Sequence, residues 1–112
     1  MTALTLTSQV GPDGTVVLLT GELDLATAGD LPRFVAALAP EDCRSVHLDL
    51  AGLDFIDAAG LTALVRAHAV VAQRSGRMTV GRPQPLGRLL FELTALPVTI
   101  VDRAVRATPR SA

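Results

Sequence analysis

The chain has 112 residues, 49% of them apolar and 19% charged, with a formal net charge of -1. That is enough for one domain with its own core, too apolar for a disordered segment, and too neutral to attract nucleic acid or an acidic membrane by charge. All the basic residues are arginine, so no lysine exists for a Schiff base, a phosphate loop or a general base.

Strand-like and helix-like periods alternate along the sequence. "ALTLTS" (3–8) alternates apolar and polar residues as a half-buried strand does, "GPDG" (11–14) signals a turn, and "TVVLLTG" (15–21) reads as a second strand. So short a link predicts an antiparallel hairpin. In "ELDLATAGDLPRFVAALAP", Leu31, Phe34, Val35 and Leu38 share one helical face. Pro32 is tolerated only in a first turn, so the helix is expected to begin near Asp30, with Thr27 or Asp30 capping it and Pro40 just beyond its end. "SVHLDL" (45–50) alternates again, with Val46, Leu48 and Leu50 opposite His47 and Asp49; one sheet face is therefore expected to be partly solvated. A second helix is predicted from Asp57 to about Ser75 on a stripe of Leu61, Leu64, Val65, His68, Val71 and Ala72, with Gly76 as its C-terminal cap. "RMTVG" is a strand and "PLGRLLFELT" a short helix with Leu86, Leu89, Leu90 and Leu93 inward. "VTIVD" is the last strand, and "RAVRATPRSA" is at most a turn or two of helix before a frayed tail.

The predicted order is β-β-α-β-α-β-α-β, with a further terminal α optional. Each strand-helix-strand unit implies a parallel, right-handed crossover. The expected fold is a single α/β domain spanning 1–112, its core about 4–105 and 106–112 a tail, with a mixed sheet and helices mainly on one face.

Little in the sequence can do covalent chemistry. His47, His68 and Cys43 lack ligand spacing, so no metal is expected. No glycine pattern cradles a phosphate, and the sharp turn at 57–60 carries Ala58 and Ala59 where a hydrolase needs a nucleophile. A receiver-type phosphoaspartate domain would need an acidic cluster by the first strand and a late lysine, and neither is present. No enzyme activity and no cofactor are expected. A lone Cys43 excludes an internal disulfide, and the absence of a leader pattern favours a cytoplasmic location. No apolar run approaches the ~20 residues of a membrane span, so direct insertion is not expected. Without Tyr or Trp, stacking on nucleic acid is not expected either. Of the carboxylates Glu22, Asp24, Asp49, Asp54 and Asp57, the last has a structural role legible at once. As an N-cap it accepts a backbone N–H from Ala59 or Gly60, worth about 1 kcal/mol. Capping leaves unexplained the small residues that follow it.

"GELDLATAGDL" followed by "HLDLAGLDFIDAAGLTALV" resembles the STAS family, the sulphate transporter and anti-sigma factor antagonist domain. The resemblance runs from Leu4 to about Val105 and matches the order of elements. It implies a protein that docks an anti-sigma factor of serine-kinase fold and so frees a sigma factor. In the family the kinase then phosphorylates the first hydroxyl after the turn aspartate, and the antagonist lets go. The matching position is Ala58, followed by Ala59, so the usual phospho-acceptor is absent. The implied partner surface is the Gly21–Thr27 turn with Glu22, Asp24 and Thr27, the turn Asp57, Ala58, Ala59, Gly60 and Leu61, and the exposed side of the next helix with Thr62 and Arg66. Thr62 is expected to bond back to a carbonyl rather than accept a phosphate. The alternative implied by the resemblance is an accessory subunit of a lipid-transport ATPase or a stress-signalling scaffold component. A monomer or weak homodimer is expected, the hairpin edge or the open sheet face offering the contact.

Overall fold

The computed structural model describes residues 3–12, 14–94 and 98–101, the side chain of Leu86 excepted. Within them the order is β1 (Thr5–Gly11), β2 (Gly14–Leu23), α1 (Asp30–Ala36), a 3-10 turn (Pro40–Cys43), β3 (Ser45–Ile56), α2 (Ala58–Gln73), β4 (Arg77–Gly81), α3 (Pro85–Thr94) and β5 (Thr99–Val101). The five strands form one sheet in the order β1-β2-β3-β4-β5. The β1–β2 pair is antiparallel and the other three pairs are parallel. Neighbouring parallel strands joined in sequence by right-handed crossovers place their helices mainly on one face of the sheet. Here that face is covered by Leu31 and Val35 of α1 and Leu64, Ala67 and Val71 of α2, packed in one core with Val17, Leu19, Val46, Leu48 and Val80. The terminal segment read as a turn of helix and a tail lies outside the described residues.

α1 and α2 are tied together at their C-terminal ends. Arg74 donates to the Ala36 carbonyl at 2.7 Å and the Leu38 carbonyl at 3.0 Å, placing a cation on the C-terminal end of α1. α2 itself closes with Ser75 at φ 59 and a bond from Gly76 N–H to the Val71 carbonyl, a Schellman turn in which Ser75 takes the left-handed position expected of Gly76. Gly76 is required for another reason: a Cβ there would collide with the Cys43 carbonyl oxygen.

Several expectations are corrected. β3 runs on to Ile56 instead of ending at Leu50. Its pairing shifts between Leu18↔Asp49 and Thr20↔Gly52, and again between Gly21↔Leu53 and Glu22↔Phe55, so β3 carries an extra residue at each bulge. The "AGL" that looked like a strand end is a bulge, where Gly52 lets the Leu19 carbonyl approach. The α2 stripe is Gly60, Leu61, Ala63, Leu64, Ala67 and Val71, while Ala72 is exposed. Alanines at 63 and 67 let the helix sit close to the sheet. α3 buries Phe91 and packs Leu90 against the core as expected, but leaves Leu89 49% and Leu93 73% exposed, so these two were assigned to the wrong side and the aromatic ring took the core position. α1 has Gly29 at its N-cap with no side-chain cap; Thr27 is spent elsewhere, and Asp30 pairs with Arg33 at 3.0 Å.

The face opposite α1 and α2 is solvated at β1, where Thr5, Thr7 and Gln9 are exposed, but not at β3, where His47 and Asp49 are buried. Pairing is what permits this. Arg82, at φ 53, turns its guanidinium back onto Asp49, and Ala51 N–H donates to the same carboxylate at 3.0 Å. His47 Nδ1 bonds Thr79 Oγ1 at 2.7 Å, and the absence of a Cβ on Gly81 makes room for the ring. Burial pushes the Asp49 carboxyl up, but the bond from Arg82, the Ala51 N–H and the charges of Arg82 and His47 outweigh it and hold it below the usual carboxylate range. For His47, burial dominates and lowers its pKa; Asp49 opposes this and Arg82 adds to it.

Both groups bind protons more weakly in the fold than in the unfolded chain, so acid favours unfolding. The His47 contribution is complete above about pH 6.5 and is lost as pH falls through the depressed folded value. The Asp49 contribution is complete above about pH 4 and fades in the acid range below it. Urea midpoints measured across pH should therefore fall in two phases on acidification, and His47→Gln should remove the first while leaving the second. A midpoint independent of pH between 7 and about 5 would contradict the buried, neutral imidazole.

Candidate functional site at the start of α2

The C-terminal ends of β2 and β3 meet the first turn of α2. Asp57 has an extended backbone, φ -118 and ψ -171, and its Oδ1 accepts the Gly60 N–H at 2.9 Å, the cap expected from sequence. Its own N–H donates to the Leu23 carbonyl at 3.3 Å, and its carbonyl receives the Leu61 N–H at 3.0 Å. Helix start and strand end are thus locked together. Gly60 sits in that joint, and a Cβ there would collide with the Leu23 carbonyl oxygen and come within 2.8 Å of Ile56 Cγ1.

The preceding turn is equally fixed. Gly21, Glu22 and Leu23 belong to β2, so the turn proper begins at Asp24. Asp24 Oδ1 accepts N–H groups from Ala26 at 3.0 Å and Thr27 at 3.1 Å. The Thr27 hydroxyl accepts the Asp24 N–H at 3.0 Å and donates to the Glu22 carbonyl at 2.8 Å. Aspartate and threonine at this spacing close the turn with their own side chains.

These bonds sort the residues expected to meet a partner. Gly60 and Leu61 are buried and serve the core, Leu61 being 5% exposed. Asp24, Thr27 and Asp57 are half-buried and committed to internal bonds; Glu22 and Ala59 are half-buried. Ala58, Thr62 and Arg66 are exposed and stand four residues apart, so they form one ridge along α2. Thr62 donates to the Ala58 carbonyl at 3.1 Å, the back-bonding expected of it. The smallness at 58–60 therefore has two causes: Gly60 allows the helix to approach β2, and Ala58 leaves an uncharged, low surface at the exposed helix start.

Sequence reasoning missed two exposed apolar residues near the C-terminal ends of β2 and β3. Leu25, between the bonded Asp24 and Thr27, is 83% exposed, and Phe55, paired in register with Glu22, is 45% exposed. The first was overlooked because apolar residues in turns carry no period, the second because β3 was ended too early. Phe55 also edges an apolar groove with Leu53, Ile56, Pro83, Gly87 and Phe91. Among the described residues, no group of three or more His, Cys, Asp or Glu could hold a metal ion, and no helix is long and apolar enough to cross a membrane.

A hairpin, three parallel crossovers and a capped helix start seated on the second strand are the architecture of a STAS domain. The profile of the family described as "Mlab, STAS domain" matches residues 6–102, and the chain belongs to the STAS family. It is 30% identical over 83 residues to an anti-sigma F factor antagonist of Paenibacillus polymyxa, an alignment covering 72% of this chain and 70% of that one. In structure it is similar to an anti-sigma factor antagonist from Mycobacterium paratuberculosis, with 24% identity over 87% of this chain and 86% of that one and a TM-score of 0.73. It is also similar to the Bacillus cell fate determinant SpoIIAA in its phosphorylated form, with 21% identity over 91% and 92% of the two chains and a TM-score of 0.69. At these identities the two structures support the fold.

Proposed function

We propose that the chain is a non-enzymatic anti-sigma factor antagonist of the cytoplasm that docks an anti-sigma factor of serine-kinase fold and so releases a sigma factor. The observation that carries this reading is the exposed ridge of Ala58, Thr62 and Arg66, which begins at a capped helix start and is flanked by the rigid Asp24–Thr27 turn. The similarity to anti-sigma F factor antagonists supports the same role.

In this reading the docking is constitutive. A phosphate on the first residue of α2 would bring about -1.5 to -2 charges. The helix dipole would return at most about 2 kcal/mol of that to the fold. Covering the unpaired charge with a partner would cost several kcal/mol, so the phosphorylated form would let go. Ala58 has no hydroxyl to modify, and the Thr62 hydroxyl is turned back onto the helix. Control must then act through the amount of this protein or through the partner.

Affinity capture from the native cell should recover a kinase-fold anti-sigma factor. Incubated with that kinase and ATP, Ala58→Ser should become labelled while the parent does not. Failure to recover such a kinase at native expression, or equal labelling of the parent, would overturn the reading.

A further inference from the structure

The two edges of the sheet differ. Among the described residues β5 offers three, Thr99–Val101, whereas β1 offers seven, Thr5–Gly11. Long edges are usually guarded by charge, proline or a bulge, because unpaired backbone groups there will pair with another strand. β1 has none of these. Residues 3–11 contain no charged side chain and no proline, and the pairing with β2 runs from Thr5↔Thr20 to Gly11↔Gly14 without a shift. Thr5, Thr7, Ser8, Gln9 and Val10 are exposed and Leu6 is half-buried.

The phase of pairing decides which backbone groups are free. Two residues separate Gly11 from Gly14, and the bond that closes such a turn makes these two a hydrogen-bonded pair. Counting back by twos, Gln9, Thr7 and Thr5 turn their N–H and C=O groups toward β2. Val10, Ser8 and Leu6 turn theirs outward.

We propose that β1 is a homodimer interface, pairing antiparallel with β1 of a second copy about a two-fold axis at Ser8. In that register Ser8 faces its own copy, Thr7 faces Gln9, and Leu6 faces Val10. Each outward residue exchanges both backbone bonds with its opposite number. Leu6 and Val10 lie on the helix-covered face, beside Leu19 and Thr15 of β2, so the pairing extends the apolar layer past the helices. The occupant is a second copy because the edge matches itself when reversed: its two apolar residues are placed symmetrically about Ser8, and no charge on it selects a different partner or repels the same one. Assembly through this edge stops at two, since a two-fold pairing uses the β1 edge of both copies. This inference is independent of the docking surface on α2.

Sedimentation of the full chain at low salt, from about 1 µM to about 1 mM, spans the range of a weak dimer. It should show a monomer–dimer equilibrium. Ser8→Lys places two ammonium groups opposite each other and should weaken the dimer about tenfold, as should Ser8→Glu, with circular dichroism unchanged for both. Mixing the two variants in equal parts should restore a dimer. A chain that stays monomeric throughout overturns the proposal and leaves the edge to a strand of some other protein. A dimer indifferent to Ser8→Lys, or a mixture of variants that fails to associate, overturns it equally.

Discussion

Gly60→Val is expected to destabilise the domain by about 3 kcal/mol or more, at the upper end of what overpacking costs. The reason is local. The Gly60 N–H is held by Asp57, and its Cα faces the Leu23 carbonyl and Ile56, so no side chain fits without separating α2 from the end of β2. The joint holds the core as well as the site, because Leu61 and Leu64 follow in the same helix turn. In a domain of ordinary marginal stability a loss of this size consumes a large part of the total. Ala58→Val, two residues earlier and exposed, is the internal control and should cost less than about 0.5 kcal/mol. Urea unfolding of both variants checks this; equal midpoints would show that the joint is not tightly packed.

The second large effect concerns binding. Ala58→Glu should leave stability nearly unchanged, because an acid in the first turn of a helix is favoured by a few tenths of a kcal/mol. On docking, however, that carboxylate must be desolvated without a designed partner, a cost of about 2 kcal/mol or more, hence roughly thirtyfold weaker affinity for the anti-sigma factor. Glu22, Asp24, Asp54 and Asp57 all lie on the segments around the helix start, so the added charge finds no neutralising neighbour in β2 or β3. Calorimetric titration of parent and variant measures the difference. Unchanged affinity would remove Ala58 from the docking surface.

Strand order, the hairpin and the start of α2 were legible because each rests on a local signal: two-residue alternation, a Gly-Pro-Asp-Gly link, and an aspartate three residues before its amide partner. The errors arose where tertiary context outweighs local pattern. β3 continues through Gly52 because the bulges pair it with β2, a fact that no residue in "AGLDFI" announces by itself. In α3, four leucines promised an apolar face, yet Phe91 occupies the core and Leu93 faces solvent; a short helix at a sheet edge is positioned by what it meets, not by the count of its leucines. His47 and Asp49 looked solvated since the arginine that neutralises Asp49 lies 33 residues further on. At the start of α2, Asp57 caps the helix as expected and Ala58, Thr62 and Arg66 are exposed, whereas Gly60 and Leu61 were read as surface and belong to the core. Smallness in a sequence does not distinguish a residue that admits a partner from one that admits its own backbone.

Amide hydrogen exchange of the full chain, free and saturated with its anti-sigma factor, would locate the docking surface without any substitution. Slower exchange confined to the Asp24–Thr27 turn and the first two turns of α2 is the predicted result, with the outer β1 amides unchanged by the anti-sigma factor. Protection elsewhere, with residues 58–66 exchanging as in the free protein, would contradict it.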